Sequence, residues 1–268
     1  MESPAPLPIE CHRACEVMGT RFEVFLRGTD AAHLDAVAVA VCEEITRLDS
    51  VLSRFDPRSE IARVNREAAS KPMRVDRELF ALLESCEAAQ ELTAGYFDVT
   101  RCAALALDVA AQTVRLTRAD ARIDLGAIGK GYALDAGREI CLRFGVTDGL
   151  LQGGTSSVLA MGETAWPLAV RHPLREEDVM QRLTLTNQGF SCSAVRHAAQ
   201  SESDVINPLT GAPLVGDDAC VVLAASATEA EIYSTALLAM GCEGAKNYLA
   251  QRPDLPITMT WFAPHESL

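Results

Sequence analysis

No stretch of this sequence approaches the roughly 20 uncharged apolar residues that a membrane-crossing helix requires, so no membrane span is expected. Positive charge is also scarce: 24 Lys and Arg stand against 37 Asp and Glu, leaving a net charge of -13. Polyphosphate backbones are gathered by clustered basic side chains, so nucleic acid is not an expected partner. A small anion still is, because local amides, one lysine and a bound cation can oppose the global charge. The chain also lacks a Pro/Ser-rich linker, a charge block and any short repeat, and one unit over residues 1–268 is expected. No Gly-rich dinucleotide fingerprint follows an early strand, and there is no Ser nucleophile elbow, zinc-type His pair or kinase-like set. In Met1 to Ile9, three prolines interrupt what would be the apolar run of a signal peptide. No export is expected from such a start, and residues 1–14 are expected to be poorly ordered.

What is present suits a folded protein with a sizeable core: 49% of the 268 residues are hydrophobic. The nine cysteines are odd in number and scattered, in a chain large enough not to need disulfide staples, which points to reduced thiols in the cytoplasm. Cys11-His12-Arg13-Ala14-Cys15 has the look of a metal site but no second ligand pair, and free surface thiols are the expected reading.

β-Branched and aromatic residues from Val17 to Leu26 predict a strand, and Leu34, Val37, Val41, Ile45, Leu48 and Leu52 recur at helical spacing behind it. Further helices are predicted from Asp76, as a cap, to Leu92 and from Gly131 to Phe144. Short strands follow at Gly149 to Met161, Trp166 to Arg171, Arg182 to Thr186, Phe190 to Ala194 and Ala219 to Ala225. Ser226-Ala227-Thr228-Glu229 forms a capping box opening a helix that should close near Gly241, and Ile257 to Phe262 reads as a last strand. This mixture has no βαβ rhythm, so an α+β fold of mixed sheets flanked by helices is expected, not a Rossmann fold.

Four segments can carry chemistry. Between Ile123 and Asp135, three glycines surround Lys130 ahead of a helix; close backbone approach, helix-start amides and one ammonium make an anion site, although a Gly-rich turn with a surface Lys is common. Glu231 and Thr235, four apart on a helix, put two hard oxygens on one face, which suits a sparse Mg²⁺ site as well as a solvated surface. Val205 to Pro213 is a strand ending in a tight turn, with Asp204 before it as a candidate proton acceptor or a local hydrogen-bonder. Phe55, within Leu52 to Ile61, and Tyr96-Phe97, within Thr93 to Thr100, offer rings that can stack on a flat ligand or simply fill core. Of the five histidines, only His197 falls near the second-half motifs.

Taken in order, these pieces resemble the FAD:protein FMN transferase family, the ApbE-like flavin transferases. The match takes in Met18-Gly19-Thr20, Ser53 to Asn65, Gly95 to Thr100, Asp124 to Asp135, Gly153-Gly154, Asn207 to Gly211 and the helix of Glu231 and Thr235, or roughly residues 17–241. The resemblance implies a T-fold-related unit in which FAD is gripped by Met18, Phe55, Tyr96, Phe97, Asp98, Asp124, Lys130 and the neighbourhood of Ile206. It implies Mg²⁺ held by the main-chain oxygen of Ala127 and by Glu231 and Thr235. The implied activity moves FMN from FAD to a Thr or Ser hydroxyl of an acceptor flavoprotein, releasing AMP. The sequence departs from the family pattern at Phe55 for Tyr, Glu231 for Asp, Asp204 for His and Asn207 for Asp. With the His replaced, Asp204 or His197 is left to act as the base, and a non-catalytic FAD binder or an FAD pyrophosphate hydrolase are the alternative readings.

Overall fold

The computed structural model describes residues 8–175, 177–196, 203 and 205–263. The chain opens with a hairpin of β1 (Ile9–Val17) and β2 (Thr20–Gly28) where the sequence pattern suggests one strand. Met18 (φ 52) and Gly19 (φ 68) both take left-handed backbone, as a two-residue turn between twisted strands demands, and Val17 pairs with Thr20 across it. Residues 9–14, expected to be poorly ordered, belong to β1. The prolines all precede the strand, and Arg13 Nε and a terminal guanidinium nitrogen donate to Asp35 at 2.6 and 2.8 Å while His12 stacks on Phe25 at 4.3 Å.

The middle of the chain supplies α1 (Ala31–Leu52), α2 (Glu60–Glu67), β3 (Met73–Arg74), α3 (Arg77–Leu92), β4 (Leu105–Asp108), β5 (Thr113–Leu116) and α4 (Gly129–Arg143). All six apolar residues that mark α1 in the sequence are buried, and Asp30 caps it. Asp76 caps α3 as anticipated, accepting from the Glu78 amide. Next come β6 (Asp148–Gly153), β7 (Ser157–Met161), β8 (Trp166–Arg171), β9 (Val179–Leu185), β10 (Gly189–Ala194) and β11 (Ala219–Ala224). The run Gly149 to Met161 is thus a second hairpin, not one strand. The last elements are α5 (Ala227–Ala250) and β12 (Thr258–Phe262). Gly241 breaks α5 as expected, leaving helical backbone (φ 73, ψ 164), and a second helical stretch runs on from it to Ala250, where Ala245 and Tyr248 are buried beside Cys220 and Val222 of β11.

Seven strands form an antiparallel sheet in the order β1-β2-β6-β7-β10-β11-β12; β3-β5-β4 and β8-β9 form smaller sheets. Alternating residues divide the large sheet between two cores. Val24, Leu26, Leu151 and Leu159 face α1 and α4, whereas Leu150, Val158, Ala160 and Phe190 pack under the β8–β9 hairpin through Val170 and Leu185. The expected α+β architecture is the observed one. Among the described residues, no helix is long and apolar enough to cross a membrane.

The starts of α4 and α5 are joined in a way that matters for the site. Asp135, in the second turn of α4, accepts from the amides of Ala227 (3.2 Å) and Thr228 (2.9 Å) and from the Thr228 hydroxyl (2.5 Å), adding to the Ser226 cap of α5. Charged-acceptor hydrogen bonds of this kind stabilise by more than neutral ones. Asp135→Ala is expected to lower the unfolding free energy by about 2 kcal/mol in a denaturant titration. A change below about 0.5 kcal/mol, the size of a featureless surface substitution, would show that the Ser226 cap suffices alone.

Candidate functional site

The segment 53–65 builds one wall. The Ser53 hydroxyl accepts from the amides of Phe55 and Asp56, both at 3.3 Å, and the Ser59 hydroxyl donates back to the Ser53 carbonyl. The resulting turn throws Phe55 outward, 78% exposed, with the Arg54 guanidinium 4.2 Å from its ring centroid. Asn65, in α2, then fastens this unit to the Gly-rich segment: its Nδ2 donates to the Ile123 carbonyl (2.9 Å) and its Oδ1 accepts from the Ile123 amide (2.7 Å).

The turn after α3 adds the second wall. Phe97 is 1% exposed and anchors this turn in the core; its amide donates to the Thr93 hydroxyl at 3.0 Å. Asp98 spends its oxygens locally, accepting from the Thr100 amide and hydroxyl and from the Ala103 amide at 2.6 to 2.8 Å. That leaves Tyr96, half-buried, as the more available ring of the pair. Phe97 and Asp98 therefore shape the wall more than they offer free groups to a ligand.

Asp124 is the most heavily contested carboxylate on this wall. One oxygen accepts from Arg101 at 2.8 Å and pairs with Arg54 Nε at 3.3 Å; the other accepts from the Gly126 amide at 3.0 Å. Two guanidiniums on one oxygen leave a local surplus of positive charge in an acidic protein. Neither arginine stood out in the sequence. Arg54 adjoins a visible motif, but Arg101 follows Thr100 in left-handed backbone (φ 59) and no spacing announces it.

At the floor lies the start of α4. Its N-cap residue, Ile128, has no side chain to satisfy the first amides, and Glu231 of α5 does so instead: its Oε2 accepts from the Gly131 amide at 2.8 Å. Glu231 Oε1 accepts from the Ser157 hydroxyl at 2.5 Å and sits 3.2 Å from Lys130 Nζ. The carboxylate is the buried half of this ion pair, 3% exposed, and the lysine, 25% exposed, is the open half. Thr235 lies beside a run of hydroxyls: Ser193 is 3.3 Å from it and 2.8 Å from Ser234, which donates to Ser191 at 2.9 Å. Burial pushes the Cys192 thiol up to about 12, so this neighbour of the hydroxyl run is a protonated thiol and no nucleophile.

These walls enclose a cavity of 570 Å³, within the roughly 300–1,000 Å³ of small-molecule sites. Phe55, Tyr96, Phe97, Asp98, Asp124, Ala127, Lys130, Ile206, Glu231 and Thr235 all line it. Met18 lines an adjoining hollow of 360 Å³ that shares Arg54, Phe55, Asp124, Gly126 and Lys130 with the first. The two hollows thus meet at Arg54, Asp124 and Lys130, where the charged side chains of the site are concentrated. His197 and Asp204 lie outside the described residues, although Ser203 and Val205 line the cavity.

Among the described residues, no group of three or more His, Cys, Asp and Glu could hold a metal ion. Ala127, Glu231 and Thr235, which carry a main-chain carbonyl, a carboxylate and a hydroxyl, do line one cavity. Such a sparse set of hard oxygens fits Mg²⁺, which completes its shell with water and phosphate.

The ApbE family profile matches residues 18–108 and 101–259. An FAD:protein FMN transferase of Klebsiella pneumoniae is 24% identical over 262 residues, covering 84% of this chain and 82% of its own. Another from Treponema pallidum is 26% identical over 303 residues, covering 91% and 82%. Among solved structures, the ApbE protein of Thermotoga maritima superposes with a TM-score of 0.84 at 23% identity, over 94% of this chain and 93% of that one. The flavin transferase ApbE of Vibrio cholerae gives 0.81 at 18% identity, over 97% and 95%. These two share the fold described above.

Proposed function

The chain belongs to the ApbE family, and on that footing we propose that it transfers FMN from FAD to a Thr or Ser hydroxyl of an acceptor flavoprotein, releasing AMP. The carrying observation is the Lys130–Glu231 pair at the cavity floor, 3.2 Å apart, with its ammonium on the open side and its carboxylate buried. Phosphoryl transfer asks for positioned positive charge more than for covalent chemistry, and this arrangement offers it.

In the proposed reaction the acceptor oxygen bonds to the FMN phosphorus, the bond from that phosphorus to the bridging oxygen breaks, and AMP departs with the electron pair. Lys130 steadies charge on the phosphate oxygens. Phe55, backed by Arg54, and Tyr96 stack on flat rings, while the Arg54–Asp124–Arg101 cluster fixes the wall between the two hollows. Ala127, Glu231 and Thr235 would hold Mg²⁺, which supplies Lewis-acid neutralisation of the diphosphate when bound. The hydroxyl proton goes to Asp204, a role supported by the cavity-lining positions of its sequence neighbours Ser203 and Val205, with His197 the other candidate. A cytoplasmic setting accords with the nine free cysteines.

Incubation with FAD, Mg²⁺ and a flavoprotein acceptor is expected to release AMP and leave the acceptor heavier by one FMN in mass spectrometry. Asp204→Asn should slow transfer at least about 10²-fold, the usual contribution of a general base, with FAD affinity unchanged. Intact FAD across several acceptors sinks the transferase reading in favour of a binder. AMP with free FMN and no labelled acceptor replaces it with pyrophosphate hydrolysis.

A further inference from the structure

The geometry points to Ser157 as a positioning residue for the metal site, acting through Glu231. Ser157 opens β7, a strand whose five residues are all buried, and is itself 1% exposed. A hydroxyl there has no solvent to bond and contributes little to packing beside Val158 and Leu159, so its partner explains its presence. That partner is Glu231 Oε1 at 2.5 Å, at the short end of the range for a hydroxyl donating to a carboxylate.

The strand gives this bond its stiffness. Ser157 pairs with Gly153 of β6 on one side and Ser191 of β10 on the other, inside the seven-stranded sheet, so its backbone and Cβ are fixed and only χ1 is left to be set by the bond to Glu231. The other two donors to Glu231, the Gly131 amide and Lys130, both come from α4. Ser157 is thus the link between the carboxylate and the sheet. A glutamate has one more rotatable bond than an aspartate, and the three donors together freeze it; without Ser157 the carboxylate is held from one side only. Partners that orient a metal-bound carboxylate are commonly worth about 10–100-fold in metal affinity.

This inference rests on the reading of Glu231 as a metal ligand, and its test separates the two. Free Mn²⁺ is followed by electron paramagnetic resonance as it is titrated into the full chain with FAD present, while FAD affinity without metal is read from flavin fluorescence. Ser157→Ala is expected to weaken Mn²⁺ binding about tenfold and leave metal-free FAD affinity within about twofold. Should that variant not fold, Ser157→Cys, close in size and a weaker donor, is expected to move Mn²⁺ binding the same way. A purely structural serine would loosen FAD and metal together or neither. Wild-type Mn²⁺ affinity in the folded Ser157 variants overturns the inference and leaves the metal reading standing. Equal Mn²⁺ binding by wild type and Glu231→Ala overturns both.

Discussion

Replacing Lys130 by alanine is expected to slow FMN transfer about 10²–10³-fold, the scale seen when one preorganised donor to a developing oxyanion is removed. The lysine is the group at the cavity floor that combines full positive charge with an open face, and it is held to Glu231 at 3.2 Å before any ligand arrives. Charge that is already oriented costs no reorganisation when phosphorus–oxygen bonds change. The loss should therefore fall on kcat as well as on FAD affinity, and steady-state AMP release at saturating FAD measures it. Part of any loss will come from the carboxylate left behind, buried and supported only by Ser157 and Gly131. The unfolding midpoint of Lys130→Ala controls for that: a rate lost well beyond what the change in stability accounts for means that the ammonium acts on substrate. A single variant within about threefold of wild type, under 1 kcal/mol of barrier, would remove Lys130 from the chemistry.

The second large effect concerns a glycine. A Cβ at Gly131 would lie 2.5 Å from the carbonyl oxygen of Ala227, 2.7 Å from its carbon and 2.9 Å from the Thr228 amide nitrogen. These are backbone atoms of the first turn of α5, held in place by Asp135, and they have no rotamer into which to retreat. Gly131→Ala is expected to cost about 3 kcal/mol, the upper end for an overpacked site, and to lower Tm by roughly 6 to 12 °C. It should also push Glu231 away from the Gly131 amide and weaken cation binding. Gly129, two residues earlier, meets nothing within 4 Å, so Gly129→Ala should be neutral or stabilising by up to about 1 kcal/mol. Equal thermal midpoints for the two variants would mean that α5 yields readily and that the close approach does not constrain the helices.

Much of the scaffold could be read before folding because it is governed by local rules. The apolar spacing of α1, the Asp76 and Ser226 caps and the bounds of β8 rest on residues within a few positions of one another. The misreadings share a cause. Met18 takes left-handed backbone without being a turn residue, so the hairpin at its position is silent in the sequence. Gly241 interrupts the helix where its signature says it should, but a second helical stretch, anchored by the burial of Ala245 and Tyr248, follows without a loop and leaves no separate start signal. Eight-residue α2 shows too few turns to establish a period. The site divides in the same way. Its glycines, Lys130 and the Glu231/Thr235 pair stand out as motifs, whereas Arg101 on Asp124 and Ser157 on Glu231 join residues 23 and 74 positions apart. Such pairings exist only once distant segments have been brought together by the fold.

The exchange of carboxylates between α4 and α5 has a mechanical consequence. Asp135 of α4 holds the first amides of α5, and Glu231 of α5 holds an amide in the first turn of α4, so neither end can fray without unlatching the other. Local opening at this junction is a single event carrying the cost of both caps. The floor of the cleft is thereby tied together where the proposed reaction would set down a phosphate in the same place at every turnover. Among the described residues no such latch is shown at the rim, where the ring of Phe55 stands exposed with the guanidinium of Arg54 over it.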